Sequence, residues 1–133
     1  MQVIIFTNEN GGVSVCVPTS EIDIQTVKAK DTPSDSIIVD ASTLPNADND
    51  FFNAWELNNG TVSVNLTKAK ALTKDRLRLE RKPLLVAQDV LFQRAQETNA
   101  DTKAIVAEKT RLRNITNGVD TCTTTEQLRE LSC

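Results

Sequence analysis

The chain has 133 residues, 39% of them hydrophobic but only 4% aromatic, and a net charge of −3. That length allows one domain or a small β module with a helical appendage, and its core must be built mostly from Val, Ile, Leu and Ala. Histidine is absent, which excludes Ser-His-Asp triads, Cys-His dyads and most zinc sites.

Charge is unevenly spread. Residues 1–66 hold Lys28 and Lys30 against nine acids, a net of −7, and residues 67–133 hold thirteen Lys and Arg against nine acids, a net of +4. The acidic front half reads as β-rich and the basic back half as helical. The expected fold is therefore α+β, with a module over 1–66 and a helical segment over 67–133.

Gln2 to Thr7 and Val13 to Val17 are apolar, β-branched runs separated by Asn8-Glu9-Asn10-Gly11-Gly12, which predicts a hairpin. The N-terminal run reads as a strand and not as a signal peptide, so synthesis in a cytosol is expected. Pro18 ends the second strand. Ser20-Glu21-Ile22-Asp23 predicts the start of a short helix capped by Ser20, with Ile24 and Val27 facing the sheet. Ser36 to Asp40 is a third strand. Ala41 to Asp50 is polar and turn-rich, and Phe51, Phe52 and the only Trp, Trp55, follow as core candidates. Around Asn58-Asn59-Gly60 a second hairpin is predicted, with Leu57, Val62, Val64 and Leu66 on one face.

Leu66 to Glu97 is the longest helix-like run, with Thr67 placed to cap it. Leu77, Leu84 and Leu91 recur every seven residues, the stripe of a helix that packs along another helix. The partner is either in the same chain or in another copy. Pro83 predicts a kink, or one helix ending near Arg81 and another beginning. Lys68, Lys70, Lys74, Arg76, Arg78, Arg81 and Lys82 are spread around several faces with no interleaved aromatic residue, so nucleic-acid binding is not expected. Thr102 to Ile115 predicts a helix that folds back antiparallel, with Ile105 and Leu112 as apolar contacts and Asn117-Gly118 as its stop. Thr123-Glu126 and Thr124-Gln127 offer overlapping capping boxes for a last short helix, Glu126 to Ser132.

The chemistry of catalysis is missing. There is no Gly-rich phosphate loop, and the serines have no base to activate them. Asp48-Asn49-Asp50 lacks the remaining ligands of a calcium loop. No enzyme activity, cofactor or metal is expected, and no apolar run reaches membrane-spanning length. Cys16, Cys122 and Cys133 form no CxxC pair. Either all three are free thiols, or Cys122 or Cys133 bonds to another chain outside a reducing cytosol.

The segments Phe51-Phe52-Asn53-Ala54-Trp55, Arg78 to Val90, Glu108 to Arg113 and Thr123 to Leu128 occur here in that order. Their order is similar to that of small proteins encoded among the tail and tail-fibre genes of tailed bacteriophages. The Arg-rich segment leading into Leu84-Leu85 and Asp89 also resembles the C-terminal segment of phage tail-fibre assembly proteins, which commonly have Trp where this chain has Val90. The resemblance covers roughly residues 50–131 and implies a virion or virion-assembly role. The expectation is a structural component of the tail, a short fibre or fibre-to-baseplate connector, made in the host cytoplasm and resident in the virion. It would assemble as a homotrimer through Leu77, Leu84, Leu91, Ile105 and Leu112. Cys122 or Cys133 would be the covalent link to a baseplate or fibre protein, and the host cell surface a further partner. The alternative is a non-virion chaperone for fibre assembly.

Overall fold

The computed structural model describes all 133 residues, Met1–Cys133. The fold is α+β, with every strand in the first half of the chain. Two compact units result, Met1–Ala69 and Lys70–Cys133.

In the first unit, β1 (Gln2–Thr7) is the centre of a three-stranded antiparallel sheet between β2 (Val13–Cys16) and β3 (Ile37–Asp40). Asn8 makes the tight β1–β2 connection: its side-chain oxygen accepts from the amides of Asn10 and Gly12, both at 3.0 Å. Gly11 supplies the positive φ of 78° that the turn needs. Pairing Ile5 with both Val15 and Ile37 puts Val3, Ile5, Val13, Val15, Ile37 and Val39 on one face. Ile4, Ser14, Cys16 and Ile38 take the other face. There α1 (Ile24–Asp31) packs on β1, and Ile4 and Val27 are both buried.

The first face is covered by a second sheet, β4 (Trp55–Asn58) with β5 (Thr61–Val64). Asn59 at φ 51° and Gly60 at φ 80° are the two left-handed residues that a two-residue hairpin loop requires. The register pairs Trp55 with Val64 and Leu57 with Val62, so Trp55 and Val62 join Val3, Ile5 and Val13 in one core. The polar stretch before Trp55, read from sequence as turn-rich, winds into 3-10 turns over Asn46–Ala54. Trp55 fastens those turns by donating its indole N–H to the Asp48 carbonyl at 3.2 Å, and Phe52 tilts against it at 4.9 Å.

Two helix starts differ from the sequence reading. The first helix begins at Ile24, with Asp23 at the cap position and no side-chain capping bond, not at Ser20. The long helix α2 (Leu66–Glu97) is capped by Asn65, whose side chain accepts from the Lys68 amide at 3.1 Å, and not by Thr67. Asn65 also donates to Glu56 at 3.0 Å, and its amide bonds the Ala54 carbonyl at 2.8 Å. The first turn of α2 is thus built into the β unit, which is why that unit ends at Ala69.

α2 runs unbroken through Pro83. Leu79, whose carbonyl loses its usual partner there, is 73% exposed, so water can replace the bond. The helix ends with Asn99 at φ 54° and the Ala100 amide bonded to the Ala95 carbonyl at 2.8 Å, a Schellman stop.

α3 (Lys103–Arg113) then runs back antiparallel to α2. Lys109 pairs with Asp89 and lies 5.4 Å over the Phe92 ring, and Arg81 donates to the Arg113 carbonyl at 2.8 Å. Beyond Arg113 the expected helix tightens to 3-10 turns over Ile115–Thr121, which carry the chain down to Lys70 and Lys74. α4 (Thr125–Glu130) reverses direction again. Of the two overlapping boxes, half of the Thr124–Gln127 one forms: the Thr124 hydroxyl accepts from the Gln127 amide at 3.2 Å, while the Gln127 side chain accepts from the Thr123 amide, one residue before the cap, at 2.7 Å.

Candidate interaction surface

The two halves of α2 have different surroundings. The first half is wrapped by the returning chain. Arg76 reaches the carbonyls of Leu128 and Leu131 at 3.1 and 2.7 Å. Lys74 pairs with Asp120 at 2.9 Å. Thr73 and Leu77 are buried there, as are Leu112, Val119, Cys122 and Leu128. This is the core of the second unit.

The second half is covered on one side only. Between Leu77 and Ala95 no residue of α2 is buried. Yet Pro83 to Phe92 is apolar at every position except Gln88 and Asp89. A helix that is apolar all round is ordinarily enclosed on all sides. Here α3 shields the Leu85–Phe92 side, and the remainder faces outward.

The open face has two adjoining rows. Leu79, Pro83, Val86 and Val90 follow i, i+4, i+7, i+11 spacing, which at about 100° per residue keeps them in one sector. Leu84, Ala87 and Leu91 make the row beside it. Leu79 is 73% exposed, Val86 59%, Leu91 45%, Leu84 42% and Val90 41%. Arg78 and Lys82 border the face along one side, and Glu80 and Arg94 stand at its two ends.

The five packing residues expected from the heptad spacing do not form one seam. Leu77 and Leu112 are fully buried within the chain's own second unit, and Ile105 is half-buried on α3. Leu84 and Leu91 lie on the open face. The heptad pattern missed Leu79, Val86 and Val90. Their signal was the apolar spacing that continues across Pro83, obscured by reading the proline as a kink or a break.

The cysteines are all free. Cys122 is 6% exposed and its thiol donates to the Gly118 carbonyl at 3.4 Å. A bond from Cys122 to another chain therefore requires its 3-10 turn to open. Cys133 is half-buried, with its thiol 3.6 Å from the Leu77 carbonyl. Burial pushes that thiol's pKa up, and the nearby Glu80 carboxylate adds to the effect. Glu80 itself is held below the usual carboxylate range by its bond from Arg76.

No helix is long and apolar enough to cross a membrane. No family model, curated protein or solved structure matches this chain.

Proposed function

We propose that this chain is a structural component of a bacteriophage tail, a short fibre or fibre-to-baseplate connector, which assembles with copies of itself through the open face of α2. The single observation that supports it is the ten-residue apolar segment Pro83 to Phe92, covered on one side only. The phage setting rests on the sequence resemblance alone.

Like copies are the occupant argued for because the face is two rows wide. A helix that meets one neighbour needs one apolar seam, whereas a helix that meets two neighbours needs two. Two adjoining rows on every copy suit three helices around a shared axis. Shared burial would also offset the cost of showing so much apolar surface to water.

Light scattering after size exclusion, at micromolar concentration, tests this. The expected result is a trimer that Leu84→Asp and Val86→Asp convert to folded monomers, since both side chains are exposed within the chain. A wild-type monomer at those concentrations sinks the self-assembly reading.

A second reading has its own support. Leu77 and Leu112 are satisfied inside one chain, so the second unit has a core without a partner. A self-contained protein with one sticky helix face suits a chaperone that holds a fibre segment during assembly. A mass-spectrometric inventory of purified particles separates the two: the connector is present in several copies per particle, and the chaperone is absent.

A further inference from the structure

We propose that the cleft beside the β1–β2 turn of the first unit is a binding site for a single neutral sugar ring. The cleft, of about 180 Å³, is lined by Asn8, Asn10, Gly12, Val13, Phe52 and Asn53. The lining holds one aromatic residue and three carboxamide residues, and no ionisable residue.

The parts are held in place before any ligand arrives. Phe52 rests against Trp55, itself fixed by the bond to Asp48. Asn8 is locked because its oxygen takes both turn amides, which leaves its NH2 group as the free donor. Gly12 keeps the turn close to Asn8: a Cβ on Gly12 would stand only 3.4 Å from the Asn8 amide nitrogen. Asn10 and Asn53 are exposed and spend no side-chain hydrogen bond within the protein.

That arrangement selects a ligand class by elimination. A phosphate or carboxylate would need a cation in the lining or free turn amides; the nearby Lys68 ammonium is directed to the Gly11 carbonyl at 3.5 Å and is not part of the lining, and the amides of Asn10 and Gly12 are already occupied by Asn8. An apolar ligand would leave three amides unpaired at a cost. A pyranose meets both demands. Its C–H face suits the electron-rich face of a phenyl ring, and neighbouring hydroxyls, each donor and acceptor, match amides that are also both. The site does not depend on the tail assignment or on self-assembly.

The test is a titration of the full-length 15N-labelled protein with glucose, galactose, mannose and N-acetylglucosamine, with glycerol and sialic acid as controls. Saturable shifts confined to amides near residues 8–13 and 51–54, with at least one neutral sugar at millimolar concentration, are expected. Asn53→Ala and Asn10→Ala should each weaken that binding at least fivefold, with the thermal midpoint and the remaining spectrum unchanged. No saturable shift with any of the four sugars overturns the proposal. So do equal shifts with glycerol, a preference for sialic acid, or binding that both substitutions leave intact.

Discussion

Leu77 and Leu84 stand seven residues apart on one helix, yet Leu77 is wholly buried and Leu84 is 42% exposed. The difference lies in what the chain lays against each. Beside Leu77 run the 3-10 turns, α4 and the segment to Cys133. At the level of Leu84, α3 lies on the Leu85–Phe92 side of α2, where Lys109 meets Asp89 and Phe92, and the outer side of Leu84 is open.

Leu77→Ala should therefore cost about 3 kcal/mol, as buried Leu truncations do. Leu84→Ala, measured at submicromolar concentration, should change stability by no more than about 0.5 kcal/mol. Urea denaturation of both variants checks this, and equal losses would show that Leu84 is enclosed within the single chain.

Arg76 ties α4 to α2 by two bonds to carbonyls as well as by its pair with Glu80. The pair alone is a half-exposed i,i+4 contact and contributes little. Arg76→Ala should cost about 1.5 kcal/mol, near the lower end for bonds from a charged donor, because the side chain is 39% exposed. Hydrogen exchange should quicken at residues 125–133 and remain unchanged at 2–7.

Acid should weaken the second unit. Arg76 lowers the pKa of Glu80, and Lys74 lowers that of Asp120. A carboxylate whose folded pKa lies below its unfolded value adds stability above the unfolded value, and that stability is lost as pH falls through the folded one. The urea midpoint should hold steady from neutrality to about pH 5 and fall below about pH 4. In the Glu80→Gln, Asp120→Asn double variant that fall should be smaller; an unaltered acid profile would show that neither pair contributes.

The thiols should differ in reactivity. Cys122, buried and bonded to Gly118, should resist a disulfide-exchange reagent in the native protein and react only on unfolding. Cys16 and Cys133 should react first, with Cys133 accelerating only as pH rises above the usual thiol range, since its pKa is raised. Peptide mapping after timed labelling reads the order, and rapid native labelling of Cys122 would show that its turn opens readily.

Much of the front half was legible because its signals are local. Asn8 to Gly12 and Asn59-Gly60 fix turns through φ preferences and side-chain bonds within a few residues. The alternation around them then fixes which side chains share a face. The capping role of Asn65 was less legible, because Thr67, two residues on, is also a competent cap by composition. Asn65 prevails through its bonds to Glu56 and Ala54, which exist only once the second hairpin has formed.

Periodicity and turn chemistry are written in neighbouring residues, and they were enough for the α+β division, both hairpins, the long helix and the antiparallel return of α3. Tertiary structure alone decided which apolar residues of α2 the chain would keep for itself. A heptad marks residues that share a face; it carries no information about which stretch of the helix other elements pack on. Here the 3-10 turns and α4 pack on the first half of α2, and α3 flanks the second half on one side only. Leu77 is therefore enclosed, while Leu79, Leu84, Val86, Val90 and Leu91 remain facing outward.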